Sequence, residues 1–248
     1  ENHLAHSRDE IIGQISAMRS RFKTYESYAE SNFEKSFMPQ EIESAYIVKS
    51  HNFASSYLEN LGEGRFELRT LPLEAQVAPV EGILVADFDQ DGKQDVLLTG
   101  NSYATEASTG RYDAFMGLLW KGKGDGTFEK VGWTTSGFEQ DSDGSGLALM
   151  YGGEGNTYVM TAGNDGPLKL FENLIKAPEN QRLEVPEEAQ SAEVTDADGK
   201  KYKLEFYNGS GYLSQQSKQI PINDHIKEIK MFYNNGTSKT VYSNEGNR

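Results

Sequence analysis

The chain has 248 residues, enough for one large or two to three small domains with a sizeable buried core. Its 38 acidic against 24 basic residues give a formal charge of −14, which repels polyphosphate and anionic lipid and argues against nucleic acid as a partner. No apolar run approaches the ~20 residues that span a bilayer as a helix, and with no cysteine there is no disulfide framework, thiolate metal site or cysteine nucleophile.

The chain opens at Glu1 without Met or the basic and apolar regions of a leader, so the expectation is a segment cut from something longer. From Arg8 to about Ser50 the pattern is helical. Ile11, Ile12, Ile15, Met18 and Phe22 recur at spacings of three and four, which predicts a first amphipathic helix. Tyr25, Tyr28, Phe33 and Phe37 form an aromatic stripe expected to pack in a core against the following domain. A third helix is expected from Pro39, where proline suits the first turn and Glu41 and Glu43 favour the positive N-terminal end.

After His51 the chain changes to short β-type runs punctuated by glycine. Strands are predicted at Ser56 to Asn60, Ile83 to Asp87, Asp95 to Leu98, Gly117 to Trp120, Thr157 to Ala162 and Leu168 to Asn173. SYLENLGEGRFE, starting at Ser56, aligns without gaps on LLWKGKGDGTFE, starting at Leu118, so that Gly62, Gly64 and Phe66 fall on Gly124, Gly126 and Phe128. That spacing exceeds the ~40–50 residues of common propeller blades and suits a blade carrying an insertion, placed at Asn101 to Asp113. Pro178 and Pro186 bracket a polar stretch expected to be a linker. Beyond it lie strand patterns at Ser191 to Thr195, Lys201 to Tyr207, Ile226 to Tyr233 and Ser238 to Tyr242. Asn235-Gly236 predicts a type I′ hairpin turn, and Asp196 to Gly199 a second turn.

Asp87-Phe88-Asp89-Gln90-Asp91-Gly92-Lys93-Gln94-Asp95 carries the sharpest chemistry, a D-x-D-x-D-G-x-x-D loop between two apolar strand runs. A curled loop brings alternate carboxylates together, and Gly92 permits the tight turn. Asp87, Asp89, Asp91 and Asp95, with the carbonyl of Lys93, form a cage of hard oxygen ligands, which selects Ca2+ over zinc or copper. An EF-hand would need Glu at the twelfth position, but Leu98 stands there, and the flanks are strands. The alternative is an acidic turn that binds nothing. Asp141/Asp143 and Asp196/Asp198 supply only two carboxylates each and read as plain turns.

Catalytic patterns are thin. His3, His6, His51 and His225 sit in unrelated segments, and no G-x-S-x-G elbow, Walker loop or H-E-x-x-H occurs. No catalytic residue or organic cofactor site is assigned. Paired carboxylates, as in glycoside hydrolysis, have no positive pointer here.

The glycine-turn repeats, with ILVADFDQDGKQDVLLTGN at Ile83 to Asn101, resemble the FG-GAP/VCBS repeats of integrin-α-like propellers. VTDADGKKYKLEFYNGSGYLSQQSK, Val194 to Lys218, resembles the ASPIC/UnbV domain, whose Gly-Tyr-Leu-Ser-Gln motif stands here at Gly211 to Gln215. In this order the two are similar to the C-terminal end of long VCBS-repeat surface lipoproteins of Bacteroidota. The resemblance implies a mainly β chain: a helical segment at 1–50, propeller-type blades with the calcium loop at 51–178, and an ASPIC/UnbV-like β domain at 179–248. Two recognisable blade units cannot close a propeller, so the rest of a longer parent or a partner chain would complete it. It also implies an extracytoplasmic place on a Gram-negative outer membrane and a role in adhesion, glycan handling or nutrient uptake.

The leading expectation is therefore a non-enzymatic binding or scaffold module with a structural calcium ion and a protein or glycan ligand. Tyr103, Arg111 and Tyr112 of the insertion are candidate recognition residues, the alternative being a loop that packs on its own blade. The alternative is a carbohydrate-active enzyme, a glycosidase or lyase working on a propeller face. In the Gly211 to Gln215 motif, Tyr212 and Leu213 are expected to be packed, with Ser214 and Gln215 bonding nearby backbone.

Overall fold

Ser7 begins the first helix with a reciprocal cap: its hydroxyl accepts the N–H of Glu10, and the Glu10 carboxylate accepts the N–H of Ser7. In this computed structural model, which describes residues 2–107, 109–176 and 182–244, the helix is α1 (Arg8–Gln14). It does not run on through Phe22 as its apolar spacing suggests. Ile15 leaves helical space at φ −125 and ψ 89 and is 41% exposed. The chain resumes as α2 (Met18–Arg21). The physical reason is enclosure, because one straight helix buries a single stripe whereas a broken one folds back on itself. Met18 and Phe22 thereby meet Ile11 and Ile12 in a core joined by Leu4, Tyr28 and Phe37, and Arg8 Nε holds the return by donating to Phe22 O at 2.9 Å.

Three more short helices follow, α3 (Tyr25–Ala29), α4 (Phe33–Ser36) and α5 (Pro39–Ile42), the last opening on proline as expected. Tyr28 meets Phe22 edge-on at 5.0 Å, while Tyr25 is exposed and donates its hydroxyl to Asp9. Helix ends at Ile42 rather than near Ser50, and Tyr46, Ile47 and Val48 are exposed. Contacts divide the chain into two units, Glu1–Phe53 and Ala54–Arg248.

The second unit makes the protein mainly β, with 39% strand against 14% helix, in several antiparallel sheets of which none is closed. The hairpin of β1 (Ser56–Gly62) and β2 (Arg65–Thr70) comes first. After a 3₁₀ turn at Leu73–Ala75, β3 (Val80–Ala86), β4 (Asp95–Gly100), β5 (Leu118–Gly122) and β6 (Phe128–Val131) form a four-stranded meander. The short helix α6 (Trp133–Ser136) leads to a three-stranded meander of β7 (Gly144–Tyr151), β8 (Thr157–Gly163) and β9 (Leu168–Asn173). Alternation along the strands sorts the cores. Leu98, Leu118 and Trp120 pack with Phe115, Ala75 and Ala78 on one face of the first meander. Leu84 and Leu97, on its other face, meet Leu147, Leu149, Val159 and Phe138 of the second.

The internal repeat is one hairpin used twice. Asn60 pairs with Phe66 as Gly122 pairs with Phe128, and all four turn glycines, Gly62, Gly64, Gly124 and Gly126, take positive φ. The excursion between β4 and β5 covers the predicted insertion. Asn101, fully buried at φ +80, closes it: Oδ1 accepts the N–H of Phe115, and Nδ2 donates to the carbonyls of Phe115, Asp141 and Ser142.

Part of the stretch read as a linker is a strand. β10 (Arg182–Glu184) pairs with β13 (Gln219–Pro221), and Arg182 stacks on Tyr151 while donating to Gly152 O and Asn156 O. Pro178 lies outside the described residues, as does the boundary drawn there. The last sheet runs in the order β12 (Lys201–Glu205), β11 (Ala189–Asp196), β14 (Ile226–Tyr233), β15 (Ser238–Ser243), around Ala192, Val194, Ile229 and Met231.

Its final hairpin forms where expected but not through a type I′ turn, since only Gly236, at φ +82, takes the left-handed conformation. Asn235 Oδ1 accepts the N–H and hydroxyl of Thr237, which stabilises the turn without positive φ at Asn235. Tyr233 N bonds Thr237 O, and the Asp196 to Lys200 turn repeats the scheme with Gly199 at φ +81.

Candidate metal centre

The Asp87 to Asp95 loop joins β3 to β4, so strand pairing fixes its ends, with Ala86 opposite Asp95. Asp87 folds the loop inward: Oδ1 accepts the N–H of Asp91 at 3.0 Å and Oδ2 that of Gly92 at 2.9 Å. Gln90 at φ 61 and Gly92 at φ 85 make the reversal. Asp95 is 2% exposed, and its two oxygens accept Phe88 N and Gly122 N, each at 2.9 Å, tying the loop to β5.

One carboxylate oxygen from each of Asp87, Asp89 and Asp95 lies within 4.8 Å of the others. Asp91 is outside this group, its Oδ1 accepting the N–H of Lys93 at 3.0 Å. The Lys121 ammonium sits on Asp89 and reaches Asp91 Oδ2 at 3.4 Å, while Lys93 Nζ stands 3.5 Å from the same oxygen. The Lys121 ammonium is held above its ordinary range, first by its bond to Asp89.

Burial pushes the carboxyls of Asp87 and Asp95 up, and their acidic neighbours add to it, against the pull of the N–H groups they accept. Burial pushes Asp91 up too, but the Lys93 N–H and the ammonium groups of Lys121 and Lys93 more than offset it, leaving Asp91 below the usual Asp value. The donor set is hard oxygen, two of its carboxylates are costly to ionise without a countercharge, and one lysine already competes for the third. These residues fit a divalent cation that displaces Lys121 from Asp89.

Residues far away in the chain complete the surroundings. Asn223 Nδ2 donates to Asp87 Oδ2 at 3.3 Å, Asn173 Nδ2 to Phe88 O at 2.7 Å, and Gln90 Nε2 to Ile175 O at 3.3 Å. His225, which its isolation in the sequence had set aside, lies against Gly92 so closely that a Cβ there would be 2.7 Å from its Cγ. None of these contacts carries a local motif. Beside Asp87 a cleft of about 590 Å3 separates the loop from the last sheet, lined by Tyr151, Tyr202, Phe206, Tyr207 and the amides of Gln94 and Asn173.

The other acidic turns behave differently. Asp141 pairs with Lys169 at 2.9 Å, and Asp196 Oδ1 accepts the N–H of Lys200. Within the insertion, Arg111 stacks on Tyr103 at 4.7 Å, so these two face each other. Tyr212 and Leu213 are not packed as expected but are 64% and 93% exposed. Hydrogen bonding pins the stem instead, Ser214 Oγ donating to Leu147 O and Gln215 Nε2 to Tyr207 O, and the turn between projects. No helix among the described residues is long and apolar enough to cross a membrane. No family model, curated protein or solved structure matches this chain.

Proposed function

We propose that this chain is a non-enzymatic, extracytoplasmic binding or scaffold module whose β3–β4 loop is pinned by one calcium ion. The convergence of Asp87, Asp89 and Asp95 carries the reading: strand pairing holds the carboxylates together, and burial makes the ionised forms of Asp87 and Asp95 costly until a cation arrives. The two meanders packed through Leu84, Leu97, Leu147 and Val159 support blades of FG-GAP/VCBS type, with an ASPIC/UnbV-like last sheet. Other segments of a parent or a partner chain would complete the propeller, and the resemblance points to an outer-membrane surface. The aromatic and amide lining of the cleft beside Asp87 suits a glycan or protein ligand.

Calorimetric titration of chelator-stripped protein tests the ion. Calcium at roughly 100-fold its Kd should stabilise the fold by about 2.7 kcal/mol, and Asp89→Ala should remove most of that response. No heat and no thermal shift would reduce the loop to an acidic turn. A glycan array run beside a glycoside turnover panel separates the module from a carbohydrate-active enzyme, since turnover would overturn the non-enzymatic reading.

A further inference from the structure

A second groove, of about 810 Å3, shares only Gln215 with the cleft beside Asp87. Its apolar part lies between Met160 and Leu168 of the second meander and the Tyr212-Leu213 turn. Leu168 lies on β9, an edge strand among the described residues and itself 68% exposed. The turn is anchored to the edge of β7, where Ser214 Oγ donates to Leu147 O at 3.3 Å and Ser217 N to Leu149 O at 2.8 Å. At its tip Leu213 combines φ +46 with 93% exposure, so a branched apolar side chain is held in a conformation it disfavours and is presented to water.

The other part of the groove is anionic. Glu81, Asp143 and Asp165 line it, and no Lys, Arg or His does. Asp143 is only 8% exposed, accepts one long bond from Tyr103 N at 3.4 Å, and has no ion pair among the described residues. Lys169 is engaged with Asp141 and Arg111 with the Tyr103 ring. With no cation paired to it among the described residues, Asp143 offers a ligand's cation an unneutralised carboxylate. The acceptor is not set up for a metal, since the carboxylates that converge among the described residues are those of Asp87, Asp89 and Asp95.

We propose that this groove binds an extended segment of a partner protein in which a lysine or arginine stands beside an apolar side chain. The cation meets Asp143 and the apolar group enters between Leu213 and Met160. The inference rests on the binding-module reading only in giving its partner a chemistry. It does not depend on calcium, so the assay is run with and without chelator: a failure of the calcium reading leaves its result unchanged.

Random peptides displayed on phage are selected on the immobilised chain, and enriched sequences are measured in solution by fluorescence anisotropy. Enriched peptides should carry Lys or Arg next to an apolar residue. Replacing that cation with Ala should weaken binding roughly tenfold, about 1.4 kcal/mol, and Asp143→Asn should cost the same without adding to it. Leu213→Gly should weaken binding while keeping or raising the melting temperature, which separates loss of the groove from loss of the fold. The proposal is overturned by no enrichment, enrichment without a cation, undiminished affinity for Asp143→Asn, or binding of n-butylamine alone as tightly as the peptides. Concentration-dependent dimerisation competed by the peptides would identify a second copy as the occupant and equally sink it.

Discussion

Gly92→Ala tests whether the acidic loop is seated on the last sheet. The substitution has two costs that the structure separates. Gly92 sits at φ +85, and an L-residue there costs about 1–2 kcal/mol. The added methyl would also lie 2.7 Å from Cγ and 3.1 Å from Cβ of His225, and because Cβ moves only with the backbone, ring rotation alone does not clear it. Overpacking of this kind costs about 1–3 kcal/mol. The exposed rim lets the site relax, so the sum should fall near 3 kcal/mol. In a His225→Ala background the clash with the ring is gone while the approach to Cβ and the strain remain, so the loss should be smaller than in the wild-type background. Urea unfolding of the four proteins of this cycle, in chelator to exclude any ion, gives the coupling directly. Equal losses in both backgrounds would refute the contact between loop and last sheet.

Three further perturbations bear on the same centre. Lys121→Met removes the ammonium that competes for Asp89, so calcium should bind more tightly by calorimetry while the chelator-treated protein loses stability; weaker binding would mean that Lys121 helps to shape the site. Asp95→Ala leaves the N–H groups of Phe88 and Gly122 without an acceptor and should cost about 3 kcal/mol in chelator, and a loss below about 1 kcal/mol would show that water replaces it. The third is pH. Asp87 and Asp95 have folded values raised above the ordinary 3.8, so the native state holds their protons more firmly than the unfolded chain. Their contribution to stability is full below the unfolded value and is lost as pH rises through the folded one. Asp91 runs the opposite way, so the readout is the wild-type minus Asp87→Asn difference in melting temperature across that window; calcium should abolish the decline.

Local signals located most strands because glycine turns and apolar alternation act over few residues. The paired Gly62/Gly64 and Gly124/Gly126 turns are legible for that reason. The break at Ile15 was not, because apolar spacing alone does not distinguish one long helix from two short ones that enclose a core. At the metal centre the D-x-D-x-D-G spacing is local and readable, whereas Lys121, Asn223 and His225 reach the loop only through the fold. The Tyr212-Leu213 turn misled for another reason. Apolar character suggests burial, but the turn is anchored by its hydroxyl- and amide-bearing neighbours, and its apolar residues are left outside.

The anchoring of Ser214 and Ser217 to the edge of β7 has a consequence for biogenesis. β7 is the first strand of its meander, yet the segment lying along its open edge is made more than sixty residues later, and Asn223, which bonds Asp87, later still. During synthesis the second meander would stand with its β7 edge uncapped until this segment emerges, and such edges recruit other chains. Closure over that sequence separation is also slow compared with hairpin formation. The nascent chain thus has an interval of vulnerability, set by elongation rate, in which a chaperone that shields strand edges would raise the yield of native protein and a truncation after β9 would aggregate.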